Sequence, residues 1–117
     1  MSINEKLRGL EKIIGCPVRP DEYDGTSEKY ITFTYEDERP TLVGDNETLA
    51  DAIYLMVCYF TPSNYNYLED KKTIKRALKE MGFNLESIQT WLENAGTGTK
   101  KIRRTVFHVN MVTTEES

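Results

Sequence analysis

From Leu49 to Phe60 the chain reads LADAIYLMVCYF, an almost unbroken apolar run. This run limits the fold more than any other feature. Taken as a strand, it places Tyr54, Met56, Cys58 and Phe60 on one face and Ile53, Leu55, Val57 and Tyr59 on the other. Apolar residues on both faces describe a strand covered twice, by helices on one side and by a partner on the other. A helix over residues 49–59 is the competing reading. Length decides nothing here, but enrichment in Val, Ile and Tyr favours the strand.

The flanking segments supply the rest of the fold. Ser2 and Glu5 form an S-x-x-E capping box, and Ile3, Leu7, Leu10 and Ile14 come after it at helical spacing. Gly15 offers a left-handed helix end and Pro17 blocks continuation, which predicts a first helix over residues 3–14. Residues 16–29 read as a short extended piece around Val18 and then a loop. Ile31, Phe33 and Tyr35 alternate with Thr32 and Thr34, the pattern of a strand over Tyr30–Tyr35. Glu36-Asp37-Glu38 interrupts that pattern and reads as an acidic turn, while Pro40 restricts its segment to a turn, a strand start or a sheet edge.

Gly44–Glu47 is a second turn signal. Ser63 or Asn64 can cap a second helix, in which Tyr67, Ile74, Ala77, Leu78 and Met81 recur on one side. Gly82 closes it, with Phe83 placed to fold back on Leu78. Leu85–Leu92 reads as a strand around Ile88 and Trp91, Gly96–Thr99 as a turn, and Lys101–Val112 as a long strand with Thr105, Phe107, Val109 and Met111 on one face. Residues 113–117 are expected to fray. The expected class is α+β: a mixed or antiparallel sheet of about four to five strands with two helices packed on one face.

The 117 residues are expected to form a single domain. Hydrophobic residues at 38% and charged residues at 29% describe an ordinary globular chain. No apolar run approaches the ~20 residues that span a bilayer, and the charged N-terminal helix pattern is unlike a signal peptide. The expectation is therefore a cytoplasmic product with no membrane partner. A net charge of −4 argues against general affinity for nucleic acid, and no specific nucleic-acid binding is expected. Cys16 and Cys58 lack CxxC spacing and are expected to be free, buried thiols.

Reaction chemistry is sparse. The single histidine, His108, lies in the last strand on the face opposite Phe107 and Val109, where a structural or solvent-facing role outweighs a catalytic one. Zinc needs about four Cys or His ligands, and three such residues are widely scattered here. The Gly96–Thr99 stretch precedes a strand, whereas phosphate cradles precede a helix. Neither catalytic, metal nor cofactor residues are expected, and the chain does not read as an enzyme.

Two charge clusters remain. One is Glu36, Asp37 and Glu38, continued in sequence by Asp45 and Glu47; the other is Lys100, Lys101, Arg103 and Arg104. The plain reading is a solvated loop and a protected strand edge. The sharper reading makes Glu36, Asp37, Glu38, Lys100, Lys101, Arg103 and Arg104 complementary protein-interface residues between neighbouring copies. Tyr54, Tyr59, Tyr65 and Tyr67 cluster where the apolar strand enters the second helix. Core packing explains most of them, and tyrosine is also enriched at interfaces.

In their order and spacing these pieces resemble the tail terminators, the small tail-completion proteins of long-tailed phages and prophages. The matching pieces are Tyr30–Tyr35, Glu36–Glu38, the run Asp45 to Ala50, Tyr54 to Tyr59, Ala77-Leu78 through Gly82-Phe83, and Thr97-Gly98. They span almost the whole chain. The resemblance implies a hexameric ring of identical copies at the head-proximal end of the tail tube. Such a ring ends polymerisation of the tail tube protein and presents a surface to the head connector or neck protein. It also implies assembly in the host cytoplasm, then residence in the virion, with no active site to carry over. Head–tail joining proteins of the neck share this size and element order. Small-ligand binding through the Tyr54/Tyr59 region and a prophage-encoded regulatory role stand as other readings.

Overall fold

The computed structural model describes residues 2–43, 48–94 and 100–113. The turns expected at Gly44–Glu47 and Gly96–Thr99, and the end of the chain past Thr113, lie outside the described residues.

The chain opens with α1 (Ile3–Arg8), continues through a π-helical turn (Glu11–Gly15), and reaches the three-residue β1 (Val18–Pro20). Two long strands come next, β2 (Tyr30–Val43) and β3 (Thr48–Pro62), then α2 (Leu68–Glu80), β4 (Asn84–Asn94) and β5 (Lys101–Thr113). The five strands form one sheet in the order β1-β2-β3-β5-β4. Only the β1–β2 pair is parallel, so the sheet is mixed and the class is α+β. The apolar run belongs to β3, the central strand, which pairs antiparallel with β2 and β5 along nearly its full length. The strand reading of that run holds over the helical one.

Both helical segments pack on one face. Leu7, Leu10 and Ile14 from the N-terminal segment and Ile74, Ala77 and Leu78 from α2 close over Phe33, Leu55, Val57, Tyr59, Phe107 and Val109. Register explains the match: Phe33, Val57, Phe107 and Ile88 lie side by side across four strands, and each belongs to the covered face. Phe107, Leu55 and Val57 are fully buried. Burying a side chain of this kind contributes roughly 1.5–3 kcal/mol.

Four local readings are corrected. The first helix is α-helical only to Arg8 and finishes as a π turn ended by Gly15 at φ +80°. The Ser2 hydroxyl accepts from the Glu5 amide at 3.2 Å, but the Glu5 carboxylate accepts from the Ser2 hydroxyl, also at 3.2 Å, and not from the Ser2 amide. Glu36-Asp37-Glu38 is not a turn: β2 runs straight through it, with a bulge between Tyr35 and Asp37. Backbone pairing with β3 resumes at Asp37, opposite Tyr54. Pro40 is tolerated because β1 pairs β2 only as far as Phe33, leaving the rest of β2 an edge. Finally, α2 begins at Leu68, and the amide there bonds to Asn66 Oδ1 at 3.2 Å, so neither Ser63 nor Asn64 is the cap.

The close of α2 obeys its sequence signal. Gly82 has φ +98°, and the Phe83 amide reaches the Leu78 carbonyl at 3.1 Å. Phe83 itself is buried in the core.

Candidate functional site

The strand alternation that fills one face with core residues puts a second apolar set on the other. There Tyr30, Thr32 and Thr34 of β2 lie beside Phe60, Cys58 and Met56 of β3, which lie beside Arg104, Val106 and His108 of β5. Among the described residues no helix covers this face. Cys58 and Val106 are buried by their neighbours alone, whereas Tyr30, Met56 and Phe60 are half-buried and Trp91 is 40% exposed.

One row of rings crosses this open face. Tyr23, from the loop after β1, packs on Tyr30 with ring centroids 4.7 Å apart, and Tyr30 stacks on Phe60 at 4.7 Å. The guanidinium of Arg104 comes next, 5.3 Å from the Phe60 ring and 5.5 Å from the Trp91 ring. It reaches Cys58 Sγ at 3.5 Å and faces Glu93 Oε1 at 3.7 Å. A planar cation between two rings gains from both faces and from being only partly hydrated. Burial, with the Glu93 charge nearby, holds the Tyr30 phenol above its usual range. Beside the row, a pocket of about 180 Å³ is lined by Asp21, Glu22, Tyr30, Met56 and Arg104, among others. That volume is below the roughly 300–1,000 Å³ of small-molecule sites.

The residues singled out from sequence are dispersed by the fold. The bulge sends Glu36 to the open face, where its carboxylate meets His108 Nδ1 at 3.2 Å. Asp37 pairs with Arg39 at 2.7 Å, and Arg39 lies 5.4 Å over the Tyr54 ring. Glu38 falls opposite Ile53 in register and is exposed. In the basic set, Lys100 faces Glu28 at 3.7 Å and Lys101 donates to Asn94 Oδ1 at 3.1 Å. Arg103 leaves β5 on the helix side, donating to the Ser63 carbonyl at 3.3 Å and stacking over Tyr67 at 4.7 Å. Arg104 leaves on the opposite side. Successive strand residues cannot share a face, so Arg103 and Arg104 belong to different surfaces.

The tyrosine cluster divides in the same way. Tyr59 is fully buried on the covered face, and its hydroxyl donates a short hydrogen bond to Asp70 at the start of α2. Tyr65 also donates to Asp70, at 3.1 Å, and Lys29 closes the group at 3.3 Å. Burial alone would raise the Asp70 pKa, but the Tyr59 and Lys29 bonds outweigh it and hold the carboxyl below its usual range. Burial would likewise lower Lys29, yet bonds to Tyr65 and Asp70 hold its ammonium above its usual range. This knot ties the first turn of α2 to β3 and to the approach of β2, which is a structural task. Cys16 and Cys58 are both free and buried, and burial pushes the Cys16 thiol up to about 11.

Sequence reasoning passed over two groups. One is the ring row, legible as the even-numbered positions Tyr30, Phe60 and Arg104. The other is a stripe on α2, where Lys72, Lys75, Arg76 and Lys79 recur at helical spacing and are all exposed. They line a shallow groove of about 300 Å³.

No family model matches the chain, and no curated protein matches it. Among solved structures, 31 chains match. One belongs to "Virion of native gene transfer agent (GTA) particle", at 12% identity over 95% of this chain and 92% of that chain, with a TM-score of 0.47.

Proposed function

We propose that this chain is a structural, non-enzymatic phage tail-assembly protein that caps the tail tube as a ring of identical copies, meeting the head side with one surface and the tube with another. The observation that carries a binding role is the open sheet face, with its ring row, half-buried apolar residues and Trp91 at 40% exposure. Tyr, Trp and Arg are the side chains enriched where proteins meet. The resemblance of the ordered sequence pieces to tail terminators narrows that role. The mixed sheet with two helices on one face is the fold class expected on that reading. The ring is a hexamer, its partners are the tail tube protein and the head connector, and the single domain passes from host cytoplasm to the head-proximal end of the virion tail.

Glu36, Asp37, Glu38, Lys100, Lys101, Arg103 and Arg104 are carried into this reading as candidate contact residues on more than one surface. Tyr59 is fully buried, Arg39 lies over the Tyr54 ring, and neither tyrosine lines the pocket beside Arg104, so ligand binding through the Tyr54/Tyr59 region has little support.

The test is negative-stain microscopy of particles made by the encoding phage with this gene deleted. Overlong tails separated from full heads support the terminator role. Tails of normal length that fail to join heads move the protein to the neck. Intact, infectious particles overturn the proposal.

A further inference from the structure

The two broad surfaces of this protein carry opposite chemistry. On the outer side of the helical layer, Lys72, Lys75, Arg76 and Lys79 stand at i, i+3, i+4 and i+7, all exposed. Like charges at these spacings destabilise a helix. Glu69 and Glu80 are placed to offset them, yet among the described residues none of the four cations makes an ion pair. The chain as a whole is acidic, at −4. Leu68, 52% exposed, lies one turn before Lys72 on the same side and gives the stripe an apolar end.

The open sheet face is the complement. Asp21 and Glu22 edge its pocket, and Glu36 stands further along β2. The Asp21 amide bonds to the Phe33 carbonyl at 2.9 Å, which places the Asp21–Glu22 pair level with Phe33. From there to Glu36 is about 10 Å along the strand. Lys72 to Lys79 on the helix also covers about 10 Å. The basic groups of that face are answered locally, Arg104 by Glu93, Arg39 by Asp37 and His108 by Glu36, so Asp21 and Glu22 are the carboxylates of the set with no ion pair among the described residues.

We infer that the occupant of the open sheet face is a second copy of this chain, seated by the cationic stripe of its α2. The stripe and its complement lie on opposite sides of one molecule, so a copy cannot satisfy itself. Each copy offers its helix to one neighbour and its sheet to the other, a heterologous contact that closes into a ring if the rotation allows. This rests on the proposed ring and names the surfaces that build it.

Two double variants test it, Lys75→Glu with Arg76→Glu and Glu22→Lys with Glu36→Lys, all at exposed positions, with circular dichroism to check folding. Sedimentation equilibrium is measured on each alone and on their equimolar mixture. Each variant alone should associate roughly tenfold or more weakly than the native chain, because like charges then meet. The mixture should recover native association, since reversed helix meets reversed sheet and native helix meets native sheet. Native-sized assemblies from either variant alone, or no recovery on mixing, overturn the inference and leave the ring reading standing. A native chain that is monomeric at every concentration overturns both. Binding of a labelled DNA duplex that Lys75→Glu/Arg76→Glu abolishes, with assembly unchanged, assigns the stripe to nucleic acid and overturns the contact.

Discussion

The two faces of the sheet share strands and backbone, yet one is sealed and the other is left open. On the sealed face Phe107, Val57 and Leu55 are fully buried beneath α1, the π turn and α2. On the open face the same two strands present Arg104, Met56 and Phe60, where Arg104 lies over the Phe60 and Trp91 rings and, among the described residues, no helix covers them. The difference teaches that apolar character along a strand predicts burial only where an element of the same chain arrives to supply it. Apolar residues left on the other side are answered by each other, by cations stacked on rings, or by another molecule.

The sharpest way to break this comparison is to remove one large ring from each face. Phe107→Ala should cost about 3–5 kcal/mol in denaturant unfolding, a large part of the stability of a small domain. Trp91→Ala, at 40% exposure, should cost clearly less. Equal costs would mean that the open face is as much a core as the sealed one.

Next in size is the knot at the start of α2. Asp70→Ala leaves the buried Tyr59 hydroxyl without its acceptor and should cost roughly 1–3 kcal/mol. The pH dependence has a definite sign on each side. Asp70 titrates below its usual range, so its contribution is present above the unfolded value of about 3.9 and is lost as pH falls through the lower folded value. Lys29 titrates above its usual range, so its contribution is present below the unfolded value of about 10.4 and is lost as pH rises through the higher folded one. Stability from this pair should be level across neutral pH and fall at both extremes. An unchanged acid limb in Asp70→Ala would show that other carboxylates set it.

Smaller still is the effect of Arg104→Ala, expected near 1 kcal/mol because the cation is only partly desolvated between its rings, about the size of such a contact at a half-exposed site. Its optical signature is clearer than its energy. Trp91 is the single tryptophan, so losing the stacked guanidinium should shift its emission while the fold persists. Unaltered fluorescence would remove the stacked arrangement. The smallest effect is chemical: native Cys16 should resist thiol reagents at neutral pH, since its thiol is buried and pushed up to about 11. Rapid labelling of Cys16 without unfolding would show that the sealed face opens.

Much of this was legible residue by residue. The period of two in Ile31/Phe33/Tyr35 and in Phe107/Val109/Met111 identified the sealed face, and Gly82-Phe83 marked the end of α2. Pro40 narrowed its segment to a turn, a strand start or an edge, and register made it the edge. The same period could have separated Arg103 from Arg104, and the period of 3.6 could have exposed the α2 stripe; both lay in the sequence, one read as a single charge cluster and the other passed over. The bulge at Glu36 was not legible, because three carboxylates and a nearby proline look like a turn when read locally.

What the sequence determined by itself is local: which residues alternate, where helices stop and which side chains are apolar, because these depend on dihedral preferences and hydrogen bonds a few residues apart. The tertiary structure alone decided that Glu36 meets His108, that Arg104 lies between Phe60 and Trp91, and that Asp70 gathers Tyr59, Tyr65 and Lys29. Those meetings depend on strand order and register. The pairing of β3 with both β2 and β5 is set by burying the whole apolar face at once, and no short segment carries that condition.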